Sequence, residues 1–206
     1  MTSPHNSQHW NERYRSAESV WSLEPNALVV KLCERLPVGS MLDLGGGEGR
    51  NALWFAERGW AVENSDFSEV AITKFLARAE KGGVAHQCVG TIASATTHEA
   101  CATSPVDLVV MCFLHLSSAD LQSAIQVAAD SLREGGTFFG VWHERGNIGR
   151  GLGGPQNPDF TPTVEQLQTM AHTAGLSVTQ CEIHERPATR DGVTGTAIDV
   201  LLLAAR

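Results

Sequence analysis

Apolar runs alternate with segments of helical periodicity along most of the chain. Strands are predicted where apolar residues run together, near 40–44, 60–64, 84–89, 106–113, 136–142, 176–183 and 193–204. Helices are predicted between most of these runs, near 25–36, 49–58, 68–81, 117–133 and 163–174. Because strands and helices alternate, the pattern predicts an α/β fold with a mostly parallel sheet.

The last two predicted strands follow each other without a helix between them. A turn predicted over Arg186–Gly192 would reverse the chain, so the final strand is expected to run antiparallel to its neighbour. The preceding helix has a clear predicted start, because Thr163 and Gln166 have the spacing of a capping box. Its predicted end lies before Gly175.

A glycine-rich segment, MLDLGGGEGR, joins the first predicted strand to the next helix over residues 41–50. Glycine at alternate positions allows positive φ and lets the backbone approach a ligand closely. The segment follows the pattern D-x-G-x-G-x-G at Asp43, Gly45, Gly47 and Gly49. A dinucleotide fingerprint would need a glycine where Arg50 stands, and the chain has no Gly-Lys-Ser or Gly-Lys-Thr of a Walker loop.

Residues 41–69 resemble the cofactor half of class I S-adenosylmethionine-dependent methyltransferases. The resemblance combines the alternating glycines with a second acid, Asp66, at the end of the next predicted strand. It implies S-adenosyl-L-methionine as cofactor and a Rossmann-like, doubly wound, seven-stranded sheet of order 3-2-1-4-5-7-6. In the family this second acid holds the ribose hydroxyls. The alternative is that Asp66 caps the helix that begins near Ser68.

The resemblance also implies which residues contact the cofactor. Phe67 is expected to pack on the adenine ring, and Thr91 or the backbone of Ile92 is expected to replace the acid that many members use for the adenine amino group. The implied cofactor-binding residues are Asp43, Gly45, Gly46, Gly47, Gly49, Asp66, Phe67, Thr91, Ile92 and Cys112.

The N-terminal segment, from His9 to Asn26, is similar to the leading helix of small-molecule methyltransferases of the tellurite-resistance and thiopurine groups. In such relatives this segment closes over the cofactor. Tyr14 and Trp21 are then expected to line the substrate pocket, with Arg13 or Arg15 meeting the methionine carboxylate. The alternative is that the aromatic side chains only pin the segment onto the sheet. The chain is therefore interpreted as one domain over 1–206, with a cap at 1–36 and a Rossmann-like core at 37–206.

Two histidines follow the fourth and fifth predicted strands, where an open α/β sheet binds its ligand. His115 and His143 are candidate general bases for a protonated acceptor, and His115 and Trp142 are candidate substrate contacts. The alternative for either histidine is a structural or surface role. The run Cys112–Leu116 lacks the N/D-P-P-F/Y pattern of methylases that act on DNA bases or protein amides. No histidine spacing predicts a metal site.

A long irregular segment over 145–162 contains five glycines and three prolines. Such a loop in a compact domain is usually functional or disordered, so it is either a substrate lid or a loose connection.

Net charge, apolar runs and cysteine spacing limit the classes of partner and the location that the sequence allows. The 206-residue chain carries a formal charge of −8 without a basic cluster, which disfavours nucleic acid and membrane-surface partners. Neither an export signal nor an apolar run long enough to cross a bilayer is present, and the five cysteines form no C-x-x-C pair, so a cytoplasmic location with reduced thiols is predicted. The sequence predicts methyl transfer to an oxygen, nitrogen or chalcogen atom of a small molecule. A nucleotide-cofactor oxidoreductase and a non-catalytic S-adenosylmethionine-binding protein remain alternatives, and the oligomeric state is undetermined.

Overall fold

A computed structural model describes residues 6–190 and 192–206. Its seven-stranded sheet has the order β3-β2-β1-β4-β5-β7-β6. The strands are β1 (Ser40–Leu44), β2 (Ala61–Asp66), β3 (Cys88–Ile92), β4 (Val106–Cys112), β5 (Leu132–His143), β6 (Ser177–Arg190) and β7 (Val193–Ala205). Strands β1 to β5 pair in parallel, and β7 is antiparallel to both β5 and β6. The predicted fold class and strand order are confirmed.

Six α-helices accompany the sheet within the described residues. They are α1 (Ser7–Arg15), α2 (Ala27–Cys33), α3 (Arg50–Ala56), α4 (Glu69–Lys81), α5 (Ser118–Ser131) and α6 (Val164–Thr173). The start of α6 has the predicted capping box of Thr163 and Gln166, and Gly175 follows the helix with φ +77°. None of the described helices combines the length and apolar character needed to cross a membrane.

The two faces of the sheet carry separate apolar clusters. Side chains of α5 and α6 pack with one set of alternating strand residues, which includes Leu42, Leu44 and Trp142. Side chains of α2, α3 and α4 pack with the other set, which includes Met41 and Val141. Both faces are covered, as expected for a doubly wound sheet.

The C-terminal hairpin differs from its prediction. The chain reverses within the predicted Arg186–Gly192 range, but the turn is shorter than predicted, because β6 continues to Arg190, which pairs with Val193 of β7. Pro187 lies within this strand, opposite Thr196. Since β6 is the edge strand, the missing amide hydrogen of a proline costs no interior ladder bond. The predicted third strand also began too early, since residues 85–87 form a 3₁₀ turn before β3.

Candidate active site

The glycine segment leaves the carboxyl end of β1 in a conformation that only glycine adopts readily. Gly45, Gly47 and Gly49 have φ values of +68°, +59° and +75°. A side chain cannot replace the hydrogen of Gly46 without a clash, since a Cβ there would lie 2.5 Å from Cγ of Asp43. The amides of Gly45 and Gly46 both donate to the carbonyl of Ser65 on β2, at 2.8 and 3.2 Å. These constraints fix a backbone cradle between β1 and β2, as the sequence pattern predicts.

Asp43 lies beneath this cradle and is fully buried. Its Oδ2 accepts from the Ala52 amide at 3.2 Å, but Oδ1 has no hydrogen-bond partner among the described residues. Burial raises the pKa of the Asp43 carboxyl to about 7. Because buried acceptors are nearly always satisfied, the unpaired oxygen indicates that a donor from outside the protein belongs here.

Asp66 connects the cradle to the start of α4. Its Oδ2 accepts from the Gly47 amide at 3.0 Å and its Oδ1 from the Ser68 amide at 2.9 Å. Burial raises the pKa of Asp66 to about 6 despite these two hydrogen bonds. The cap of α4 is the hydroxyl of Ser68, which accepts from Ala71, so a capping role does not account for the carboxylate. A carboxylate has lone pairs for further donors.

The N-terminal segment covers the cradle. Tyr14 is buried, and its hydroxyl oxygen lies 2.6 Å from where a Cβ of Gly47 would stand. Trp21 donates to this hydroxyl at 3.4 Å and remains 43% exposed. Burial and the Asp66 carboxylate raise the pKa of Tyr14. The guanidinium of Arg13 lies 5.0 Å from the rings of both Trp10 and Trp21. The segment is therefore held against the glycine cradle by an aromatic cluster that includes Tyr14 and Trp21.

Glu48, which sequence reasoning missed, attaches this segment to the core. The buried carboxylate accepts from the amide of Val20 at 2.9 Å and pairs with Lys74 at 3.2 Å and Arg78 at 3.5 Å. Lys74 also donates to backbone carbonyls of the segment, including that of Ala17 at 2.6 Å. The sequence feature that could have revealed this role is the position of Glu48 between Gly47 and Gly49 of the motif.

Four further predicted cofactor residues lie at or near the carboxyl ends of β2, β3 and β4. Phe67 is half-buried directly after β2, Thr91 is half-buried in β3, and Ile92 is 60% exposed at the end of β3. Burial raises the pKa of the Cys112 thiol well above its ordinary value, and the Asp43 carboxylate acts in the same direction. Cys112 is thus a neighbour of Asp43. The side chain of Ile92 is exposed, so its backbone is the group expected to contact the cofactor.

The two predicted histidines come together at the ends of β4 and β5. Their rings stack with centroids 5.3 Å apart and an interplanar angle of 7°. Nδ1 of His115 is 2.9 Å from the carbonyl of Phe160, and since a carbonyl only accepts, this nitrogen carries the hydrogen. Nδ1 of His143 lies 2.9 Å from Oδ1 of Asp199. Leu114, which directly precedes His115 in the chain, has its side chain 2.8 Å from where a Cβ of Gly45 would stand.

Phe113 forms a wall beside the histidine pair and was not predicted from the sequence. Its φ of +55° is rare for a bulky residue, and such backbone conformations cluster at functional sites. Its ring lies 5.2 Å from that of His143, and the guanidinium of Arg186 lies 5.5 Å from it.

The segment over 145–162 folds against His143. A Cβ at Gly154 would lie 2.5 Å from Cδ2 of this ring. Asn147 fixes the segment, because its side chain donates to the carbonyl of Gly153 and accepts from the amide of Ile198, both at 2.8 Å. Two 3₁₀ turns, at 145–147 and 158–160, shape it further.

Trp142 is not brought to this site. It points to the opposite face of β5 from His143, is fully buried in the cluster with α5 and α6, and donates to the carbonyl of Leu114 at 3.0 Å. Side chains alternate between the faces of a strand, so these neighbours cannot both face the same pocket. Within the described residues, no group of three or more His, Cys, Asp or Glu side chains is placed to hold a metal ion.

Comparison with known proteins agrees with this geometry. Residues 41–136 match the family model described as a methyltransferase domain. The match spans slightly less than half of the chain and includes Asp43, the glycine loop and Asp66, so this region is similar to a methyltransferase domain. Structural neighbours hold bound SAM or SAH, which supports S-adenosyl-L-methionine as the cofactor. The sequence has no significant match among curated proteins.

Solved structures share the fold of this chain at low sequence identity. One of them comes from work on the conversion of a disulfide bond into a thioacetal group during echinomycin biosynthesis. It is 19% identical with a TM-score of 0.79, and the match covers 98% of this chain and 92% of the other chain. TehB from Haemophilus influenzae is 17% identical with a TM-score of 0.73, and the match covers 97% of this chain and 66% of TehB. Magnesium protoporphyrin IX methyltransferase from Synechocystis PCC 6803, with bound SAM, is 16% identical with a TM-score of 0.63. The match covers 96% of this chain and 79% of that methyltransferase.

The residues of the cradle fit this cofactor. The positive-φ glycines bring the backbone of the loop to the ligand, Asp43 has an unpaired buried acceptor, and Asp66 has an ionisable carboxylate beside the loop. Hydroxyl and ammonium groups are the donors that such acceptors need. We therefore assign the cofactor to this cradle and the ribose hydroxyls to Asp66 as a proposal.

Replacing Asp66 with Ala tests this assignment. Hydrogen bonds to a charged group contribute about 1.5–3 kcal/mol, so S-adenosylhomocysteine is expected to bind about 10–100-fold more weakly in calorimetric titration. The affinity of the parent protein is also expected to fall as the pH drops below about 6, because burial raises the pKa of Asp66 to about 6 and a protonated carboxyl accepts fewer hydrogen bonds.

Ser68→Ala is the matched control, since it removes the cap of α4 but keeps the carboxylate. Both variants are expected to lower the unfolding midpoint, whereas only Asp66→Ala is expected to weaken the ligand. Equal affinities in the Asp66→Ala and parent proteins would leave Asp66 a purely structural residue.

Proposed function

We propose that this single-domain enzyme transfers the methyl group of S-adenosylmethionine to a small-molecule acceptor held against His115 and His143. The observation that carries the proposal is the stacked histidine pair at the ends of β4 and β5, in which His115 directly follows Leu114, the residue that lies against Gly45 of the glycine cradle. In an open α/β sheet, ligands bind outside the carboxyl ends of the strands, where the strand order reverses. Here the order reverses between β1 and β4.

The class of acceptor follows from the charge of the protein and the enclosure of the site. A formal charge of −8 opposes the binding of a nucleic acid backbone. The described part of the cap, residues 6–36, and the segment at 145–162 border the site on two sides, which favours a compact acceptor over a large macromolecule. A structural neighbour is a magnesium protoporphyrin IX methyltransferase, whose named acceptor is also a small molecule. A cytoplasmic location remains a prediction from the sequence.

Methyl transfer requires the acceptor atom in line with the carbon–sulfur bond, and orientation alone can lower the barrier by about 7–11 kcal/mol. The cap and the 145–162 segment then serve to hold the acceptor and exclude water. A protonated acceptor also needs a base within hydrogen-bond reach, and each neutral imidazole that donates through Nδ1 can accept at Nε2. The nucleophile is an oxygen, nitrogen or chalcogen atom.

Incubation with methyl-labelled S-adenosylmethionine tests the proposal. The panel contains small alcohols and phenols, amines, thiols and selenols, with a DNA duplex and a protein mixture as macromolecular acceptors. Label is expected to appear in at least one small molecule in an enzyme-dependent reaction. Label transfer to macromolecules alone would overturn the small-molecule assignment. Tight binding of S-adenosylhomocysteine without transfer to any acceptor would favour a non-catalytic binding protein instead.

A further inference from the structure

Asp199 is a buried carboxylate that neither the glycine motif nor the histidine positions explain. It is the one charged residue of β7 and is fully buried in the sheet. In the antiparallel register of β5 and β7, Asp199 stands directly opposite His143. Directly opposed residues have Cβ atoms about 4.5–5.5 Å apart, which brings a carboxylate and an imidazole within hydrogen-bond reach. Oδ1 of Asp199 indeed lies 2.9 Å from Nδ1 of His143.

The second oxygen of this carboxylate has a partner of its own. Nε of Arg186, from β6, lies 2.6 Å from Oδ2 of Asp199. The side chain of His143 is 12% exposed and that of Arg186 is 36% exposed, so the contacts of Asp199 extend from the sheet interior towards the site surface. The carboxylate therefore connects a cation at the edge of the sheet to the ring that faces Phe113 and His115.

We propose that Asp199 is a positioning residue that holds His143 as the Nδ1–H tautomer and so directs Nε2 towards the methyl acceptor. This inference rests on the proposed function. The acceptor atom loses its proton to Nε2 of His143 and uses its lone pair to bond the methyl carbon, while the electron pair of the broken carbon–sulfur bond stays on sulfur. Arg186 balances the charge of the carboxylate, so that Asp199 is not an isolated buried anion.

The electrostatics select His143, rather than His115, as the proton acceptor. Two stacked imidazoles 5.3 Å apart would repel each other if both became imidazolium ions, so one ring of the pair is expected to take the acceptor proton. A proton on His143 lies beside the Asp199 carboxylate, whereas Nδ1 of His115 lies 2.9 Å from the carbonyl of Phe160, which is uncharged. The imidazolium formed during transfer is therefore stabilised on His143.

Fold stability does not account for a charged Asp199–Arg186 pair beside a histidine at this point of the sheet. Removing charges from water costs several kcal/mol per ion, and well-packed apolar residues often stabilise a fold as much or more. The adjacent residues of β7, Val200 to Leu202, are all apolar and buried. An apolar residue at 199 would continue this pattern, so the carboxylate is best explained by its action on His143.

The test compares the parent with Asp199→Asn by nitrogen NMR of histidine-labelled protein, at about pH 8.5 so that an ordinary imidazole is neutral. The His143 signals are assigned by their loss in His143→Gln. The parent is expected to show the Nδ1–H tautomer at His143. The variant is expected to shift towards Nε2–H, because the amide of Asn donates to Nδ1. Turnover of the variant is expected to fall by about 10²–10⁴, with KM values changed less than about threefold.

Asp107→Asn is the matched control, because Asp107 pairs with Arg133 at the opposite end of β4, remote from the site. It is expected to change the unfolding midpoint without changing the His143 tautomer or turnover. An Nε2–H tautomer in the parent would overturn the proposal, even if Asp199→Asn does not fold. An unchanged tautomer in a folded variant would do the same. The NMR result needs no acceptor, so failure of this inference is distinguishable from failure of the proposed function.

Discussion

Replacing His143 with Ala is expected to lower turnover by about 10²–10⁴ while S-adenosylhomocysteine affinity changes little. General base catalysis contributes this factor when the acceptor arrives protonated. His143 lies at the end of β5, whereas the glycine cradle and Asp66 belong to β1 and β2, so the variant leaves the proposed cofactor contacts in place. Single-turnover kinetics at saturating cofactor separates the methyl-transfer step from binding.

His172→Ala is the control for this experiment, because His172 is an exposed residue of α6 with no proposed role. His115→Ala is informative beside it. If His143 is the base, His115→Ala is expected to retain more turnover than His143→Ala, since it keeps the Asp199 pair. Full turnover in both histidine variants on the true acceptor would mean that orientation alone carries the reaction.

The fold was largely predictable from the sequence, and the errors in the prediction have specific causes. Periodicity located the strands and the order of elements, but the strand order came from the resemblance at residues 41–69, because periodicity carries no information about which strands pair. The hairpin turn was placed at Arg186–Gly192 because a proline among polar residues usually marks a turn. The edge position of β6 makes Pro187 acceptable in a strand, and an edge position is a property of the whole sheet.

The site was predictable where its signal is local. The glycine loop and the acid at the end of β2 appear in one continuous segment, and the histidines follow directly from the ends of two strands. Asp199 reaches the site through the antiparallel register of β5 and β7, which pairs His143 with a residue 56 positions away, and Arg186 reaches it through the β6–β7 hairpin. No sequence spacing specifies that register.

Trp142 shows the opposite case, in which the sequence did contain the answer. Strand residues alternate between two faces, so a prediction that His143 faces the ligand crevice already places its neighbour on the other face. The structure has Trp142 in the core and His143 at the site. Alternation within a predicted strand therefore constrains which adjacent residues can share a role.

Gly47→Val is expected to abolish detectable S-adenosylhomocysteine binding, weakening it by more than about 100-fold, while the protein still folds. Gly47 has φ +59°, and its amide donates to Asp66, so the branched side chain strains the part of the loop that meets the proposed ribose site. A Cβ there would also lie 2.6 Å from the Tyr14 hydroxyl. The backbone must retreat from either the ligand or the cap segment.

Gly83→Val separates loss of the site from backbone strain. Gly83 has φ +74°, and a Cβ there meets nothing within 4 Å, so this variant has a comparable strain cost, of the order of 1–3 kcal/mol, far from the cradle. Both variants are expected to lower the unfolding midpoint by similar amounts, and only Gly47→Val is expected to lose the ligand in titration. Parent-like affinity in Gly47→Val would place the cofactor elsewhere and remove the basis for assigning the ribose to Asp66. An affinity lost in both variants would trace the effect to general destabilisation, because Gly83 has no contact with the cradle.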